Sequence, residues 1–263
     1  MLVRFGQKSL YSVLDLKDAF HQVPLHEDSR PYTCTSTPMG VYQWKVVVMG
    51  LKNGVAIFQR VVDFCLGDVR DIASAYVDDI LVGTNPLEPP AEPKEICQAP
   101  KEETKTVTRD LLLRHDKDLR QTLDELRRQK LVASKKCKFF KPEVTFCGHI
   151  LGGGKRRPAP GKLAALEMWE EPKTLTALRG FLGFTNYYAS YVEGYGELVA
   201  DLQDLLKVGK KEGKAGSKKP IFFTEAHRKA FRALKEKLLS GLSLHVVNPD
   251  APLSCAPTPA TKL

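Results

Sequence analysis

No apolar run in the sequence approaches the ~18 residues that a membrane-spanning helix needs, so no segment reads as a membrane span. The opening stretch, MLVRFGQKSLYSVLDLKDAF, has no long apolar core followed by small residues. A secretory signal is therefore not expected, and the chain reads as intracellular, in cytoplasm or nucleus. Six cysteines, at 34, 65, 97, 137, 147 and 255, include no CxxC pair. That removes the support for a zinc ribbon or a disulfide framework and makes a reducing compartment the default. There is no internal repeat. With 263 residues, 43% apolar and 27% charged, the chain can bury a sizeable core in one large domain or two smaller ones. The same balance excludes wholesale disorder, collagen and coiled coil.

Charge is unevenly distributed. The formal net charge is +9. Arg127 to Lys141 holds seven basic residues and no acid, Lys155-Arg156-Arg157 follows, and Lys207 to Lys219 holds six lysines and one glutamate. Clustered positive charge suits a polyanion, with nucleic acid first. Solvated basic faces are the alternative, and charge alone does not separate the two.

Along the chain the pattern is mixed. Tyr11 to Leu16 reads as a strand ending at Asp15, and Tyr42 to Met49 as another. Val55, Phe58, Val62 and Cys65 fall at helical spacing. Residues 85–108, with five prolines and five glutamates, read as a disordered insertion. Leu112, Leu119, Leu123 and Leu126 mark an amphipathic helix ending near Lys130. Val144 to Leu151 reads as a strand stopped by Gly152-Gly153-Gly154. Leu163, Leu166 and Trp169 share a helical face, as do Leu178, Leu182, Thr185 and Ala189 after a cap at Thr174. The Lys/Gly stretch 207–219 reads as a flexible linker. Thr224 is expected to cap a last helix carrying Phe231, Leu234 and Leu238.

Asp78 and Asp79 interrupt the apolar run AYVDDILV. Two carboxylates buried there unpaired would be costly, so a hairpin turn between two short strands is expected. Alternate strand residues face opposite ways, so only one of the pair fully shares a face with a carboxylate on a neighbouring strand. Asp15, ending its own apolar strand, is the candidate third acid. Three convergent carboxylates suit Mg²⁺, and two such ions serve phosphoryl transfer. A plain polar β-turn is the alternative.

YVDD in this setting resembles the active-site box of reverse transcriptases, and the resemblance runs through most of the chain. LDLKDAFHQVPL (14–25) looks like the family's first carboxylate motif and MGLKNGVAIFQ (49–59) like its template- and nucleotide-facing helix. SKKCKFF (134–140) is similar to the lysine-bearing segment, and TFCGHIL (145–151) to the primer-grip hairpin. ALRGFLGFTNYYASYV (177–192) resembles the thumb of gypsy-type retrotransposon and retroviral enzymes. FFTEAHRKAFRALKEKL (222–238) resembles the opening of their RNase H-like domain.

The resemblance implies an α+β fold: a palm of antiparallel strands backed by helices (1–152, with fingers lacking), a helical thumb (153–206), the linker (207–220) and a truncated RNase H-like segment (221–263). It implies RNA-directed DNA polymerisation with two Mg²⁺, or Mn²⁺, held by Asp15, Asp78 and Asp79, the first two bridging both ions. Phe20 takes the place of the steric gate that excludes a ribose 2′-hydroxyl. Met49 and Gly50 fall at the nucleotide site, while Phe58 and Gln59 read as packing. Cys147, Gly148 and His149 fall in the primer grip, and Lys135 or Lys136 at the general acid for pyrophosphate. Arg127, Arg128, Lys138 and Lys141 are expected on the nucleic-acid backbone. The implied partners are an RNA or DNA template with primer, a dNTP and other segments of a Pol polyprotein.

Some positions depart from the pattern. Val48-Met49 and Gly54-Val55 replace the usual residues of the second motif, and only 14 residues precede Asp15. No acid follows Asp250, so an RNase H site is not expected. The chain alone is accordingly expected to bind primer–template but to extend it poorly. A non-catalytic retroelement relic that at most binds nucleic acid is the alternative.

Overall fold

The computed structural model describes residues 2–85, 107–210, 221–240 and 244–245. Its first sheet is antiparallel. β1 (Leu10–Asp15) lies between β5 (Asp79–Thr84) and β6 (Lys138–Lys141), with β4 (Ala73–Tyr76) outside β5. A strand covered on both faces needs an unbroken apolar run, and β1 and β5 show what each face meets. Leu14, Ile80 and Val82 point into a core with Phe58 and Val62 of α2 (Gly54–Cys65) and Leu119 and Leu126 of α3 (Arg109–Arg128). Tyr11, Val13 and Leu81 point the other way, into a core with Phe5 of α1 (Leu2–Gly6) and with Val144, Phe146 and Leu151.

Ser12 breaks the apolar run on the helical face, and the helix answers it. His115 of α3 is fully buried, with Nε2 2.7 Å from Ser12 Oγ and Nδ1 2.8 Å from Thr84 Oγ1. The Thr84 hydroxyl donates to Asp118 Oδ2 at 2.6 Å. Thr84 must therefore accept from Nδ1–H, which leaves Nε2 to accept from Ser12. Burial lowers the pKa of the ring and so favours this neutral arrangement.

Residues 17–53 leave the sheet and carry a small hairpin, β2 (Thr35–Thr37) with β3 (Gly40–Tyr42). A second antiparallel sheet runs in the order β10-β9-β8-β7, from β7 (Glu143–Phe146), β8 (His149–Gly152), β9 (Lys155–Pro158) and β10 (Leu244–His245). Beyond it, α4 (Pro160–Glu167), α5 (Leu175–Tyr187), α6 (Tyr195–Lys210) and α7 (Glu225–Leu239) share one core built on Leu166, Leu178, Phe181, Leu202, Phe231 and Leu234. Thr174 and Thr224 cap α5 and α7 as expected, and Thr224 with His227 closes a capping box. The class is α+β.

Several expectations shift. Tyr42 to Met49 is not a strand: β3 ends at Tyr42, and only a bridge from Val46 to Pro24 follows. Val41 and Tyr42 pair with β2 but stay exposed, as does Trp44, and the run beyond Tyr42 has no further strand to join. Val55 and Leu112 lie outside the buried stripes of α2 and α3. Val144 to Leu151 folds into the hairpin β7–β8, and the glycines after it form the turn to β9. The sheet therefore continues across residue 152. Residues 207–210 extend α6, so the Lys/Gly stretch begins as helix. The Pro/Glu-rich segment lies outside the described residues over 86–106, as do 211–220 and the tail after His245. No helix among the described residues is long and apolar enough to cross a membrane.

Candidate active site

The antiparallel register sets Asp15 opposite Asp79, at the end of both strands. Directly opposed residues share a face. By alternation this is the face of Tyr11, Val13 and Leu81, away from α2 and α3. Asp78 sits in the turn, where its carbonyl accepts from Leu16 N–H at 3.0 Å. The pKa of Asp79 is raised by burial, then by the negative charges of Asp78 and Asp15, against the pull of Lys138. Asp15 and Asp78 thus both act electrostatically on Asp79.

The turn between β4 and β5 is the two-residue connection Val77-Asp78. Val77 has φ +55°, a left-handed conformation in which a β-branched side chain is strained. Gln59 of α2 braces it from behind. Its Oε1 accepts from Val77 N–H at 2.7 Å, and its Nε2 donates to Ala75 O at 3.2 Å.

Asp15 is held from the other side by the loop after α3. The Ser134 hydroxyl donates to Asp15 Oδ2, and Ser134 N–H donates to Asp15 O at 2.6 Å. Lys136 N–H donates to Ser134 Oγ at 3.0 Å, and Asp15 N–H reaches Cys137 Sγ at 3.5 Å. Lys135 and Lys136 are exposed on this loop beside Asp15.

Cys147 and Gly148 form the turn of β7–β8, with φ of +46° and +73°. Positive φ at both centres matches the primed turn whose twist suits a hairpin. The Cys147 thiol is pushed up to about 11 by burial and by the charge of Asp79. The tyrosines of α5 and its following turn clasp this hairpin. Tyr187 OH donates to Cys147 O, and the ring stacks on His149 at 5.0 Å between centroids. His149, 3% exposed, has Nδ1 2.8 Å from Tyr191 OH. A cavity of about 320 Å³ opens between Tyr76, Cys147, Gly148, Lys162, Phe184, Tyr187 and Tyr188.

The other expected residues divide into two groups. Lys138 and Lys141 lie exposed on β6, beside β1, and Lys138 is close enough to act on Asp79. Arg127 and Arg128 end α3 in the helical layer, with Arg127 3.9 Å from Asp124 and Arg128 paired to Glu125 and Asp68. Phe20 is half-buried against Phe58, with centroids 5.2 Å apart. Met49 is 78% exposed, and Gly50 turns the chain at φ +93°. The hydrogen bonds of Gln59 to the acidic turn and of Ser134 to Asp15 are not among the expectations from the sequence. Gln59 lies next to Phe58 on an amphipathic helix, and Ser134 is one small polar residue in a basic run.

Among the described residues no group of three or more His, Cys, Asp or Glu side chains encloses an ion by itself. Mg²⁺ does not require that, since one or two carboxylates, waters and substrate phosphates complete its octahedron. Hard carboxylate oxygens that already repel one another fit such an ion.

The family model described as reverse transcriptase (RNA-dependent DNA polymerase) matches residues 2–151. The Pol polyprotein from transposon gypsy of Drosophila melanogaster is 29% identical over 243 residues, covering 91% of this chain and 21% of that protein. The Gag-Pol polyprotein of Koala retrovirus is 31% identical over 245 residues, covering 89% of this chain and 13% of its own length. The chain therefore spans about a fifth or less of these relatives. In fold it is similar to the foamy viral protease-reverse transcriptase solved with dsDNA (TM-score 0.71, 21% identity, 95% of this chain and 47% of that one). It is likewise similar to the same enzyme solved with an RNA/DNA hybrid (TM-score 0.68, 21% identity, 92% and 29%).

Proposed function

Because the chain belongs to the reverse transcriptase family, we propose that it serves RNA-directed DNA synthesis within a Pol polyprotein. In that reaction a primer 3′-hydroxyl attacks the α-phosphate of a dNTP on an RNA or DNA template. The observation that carries this reading is the pairing of Asp15 on β1 with Asp79 on β5, next to the strained turn that presents Asp78. Two Mg²⁺ or Mn²⁺ ions held by Asp15, Asp78 and Asp79 supply the charge stabilisation on which nucleotidyl transfer depends.

The remaining roles belong to the chain's own groups. Phe20, fixed against Phe58, presents a ring wall that selects deoxyribose. Met49 and Gly50 border the nucleotide. Cys147 and Gly148 hold the primer end, where a hairpin turn lets phosphates approach the backbone closely, whereas His149, buried against Tyr187 and Tyr191, braces that turn rather than touching the primer. Lys135 or Lys136, on the loop bound to Asp15, donates a proton to the leaving pyrophosphate. Lys138 and Lys141 contact nucleic-acid phosphates from β6, and Arg127 and Arg128 do so only by leaving their acidic partners. Residues 1–152 act as palm, 153–206 as thumb and 221–263 as a truncated RNase H-like segment, whose α7 packs into the core of the thumb helices.

The test is primer extension by the purified chain, alone and joined to a preceding Pol segment, with Asp78→Ala as control. Incorporation that Asp78→Ala abolishes supports the proposal. Salt-sensitive primer–template binding without incorporation in either form favours a remnant that only binds nucleic acid.

A further inference from the structure

Of the three acids, Asp15 is the one whose carboxylate has a side-chain hydrogen bond. Its partner is the Ser134 hydroxyl, which donates to Oδ2. The same residue bonds the Asp15 backbone, since Ser134 N–H donates to Asp15 O at 2.6 Å. Its own hydroxyl is oriented in turn, because Lys136 N–H occupies an Oγ lone pair at 3.0 Å. Cys137 Sγ closes the bracket, lying 3.1 Å from Ser134 O and 3.5 Å from Asp15 N. Leu16 pairs with Ala133 beside it.

An ionised carboxylate offers about four lone-pair sites on two oxygens. A hydroxyl donor fixed on Oδ2 takes one of them and sets the plane of the group. The remaining sites then face outward in a defined direction, on the face shared with Asp79. Partners of this kind orient a metal ligand, and removing one typically weakens metal affinity about 10–100-fold.

We infer that Ser134 is a positioning residue for the metal-binding carboxylate of Asp15, acting through the Oγ–H to Oδ2 hydrogen bond. The inference rests on the reading of Asp15 as an ion ligand. Ser134→Ala removes the hydroxyl while the backbone bond to Asp15 O remains. Ser134 is only half-buried, so the change is expected to leave the fold intact. Ser134→Thr keeps a hydroxyl on the same bracket.

The experiment titrates Mn²⁺ into the full chain with bound primer–template and follows free Mn²⁺ by electron paramagnetic resonance. The parent, Asp15→Asn, Ser134→Ala and Ser134→Thr are compared, with melting temperature as the fold control. Weakening of Mn²⁺ binding by about 10-fold or more in Ser134→Ala, at unchanged melting temperature and with recovery in Ser134→Thr, is the expected result. Loss of affinity in Asp15→Asn with parental affinity in Ser134→Ala would overturn the role of Ser134 and leave the ion site standing. A parent that binds no Mn²⁺, or Asp15→Asn that binds as the parent does, would overturn the ion site and the bracket with it.

Discussion

At the scale of single residues, the acidic turn is held in a conformation its own sequence disfavours. Val77 at φ +55° costs about 1–2 kcal/mol relative to ordinary backbone, and Gln59 opposes that cost with one hydrogen bond to the turn at Val77 and one to Ala75 of β4. Replacing Gln59 with leucine keeps the bulk but strips Val77 N–H of its acceptor. The expected loss is about 1–3 kcal/mol, read by chemical denaturation. His115 makes a pH prediction. Its folded pKa is lowered by burial, so above its unfolded value of about 6.5 both states are neutral and no stability is lost. As pH falls below that value the unfolded chain takes up a proton that the folded chain refuses, and stability declines. His149 is lowered in the same sense. Denaturation midpoints should therefore fall from pH 7.5 to 5.5, and less steeply in His115→Gln.

At the scale of elements, the β7–β8 hairpin depends on the aromatic residues that clasp it. Tyr191→Phe leaves the buried His149 Nδ1 without its partner at 2.8 Å. The expected cost is about 1–3 kcal/mol, visible as a lower melting temperature. Elements of this kind were only partly legible in the sequence. β1, β5 and the turn between β4 and β5 could be read because burial on both faces leaves an apolar run, and two aspartates inside it force a turn. α5 and α7 announced themselves through threonine caps. The 42–49 segment misled because β-branched and aromatic residues mark a strand only where a neighbouring strand or core receives them, and beyond Tyr42, which ends the β2–β3 pairing, Trp44 is exposed and pairs with no strand. β9 was hidden because Lys155, Arg156 and Arg157 read as a basic cluster, and pairing with β8 is a matter of register rather than composition. The bracket around Asp15 joins residues far apart in sequence and leaves no local pattern.

For the whole molecule, the distribution of cores sets which parts stand or fall together. α7 contributes Phe231, Leu234 and Leu238 to the same core as Leu178, Phe181 and Leu202 of α5 and α6. Each such side chain contributes about 1.5–3 kcal/mol on burial. A chain ending at residue 220 should therefore lose protection across α4–α6 in hydrogen exchange, while the sheet containing Asp15 and Asp79 keeps it. Equal loss in both regions would show a single cooperative unit.

The crowding of Asp15, Asp78 and Asp79 has a thermodynamic consequence apart from chemistry. The share of their repulsion that involves Asp15 exists only in the folded chain, because unfolding separates Asp15 from the other two, which remain neighbours in sequence. A divalent cation that relieves it is thus a ligand of the native state and shifts the folding equilibrium by mass action. With no nucleotide or nucleic acid present, the melting temperature should climb with the logarithm of Mg²⁺ concentration and drop on chelation. Asp79→Asn should invert the comparison, melting higher than the parent without the cation and gaining less from it.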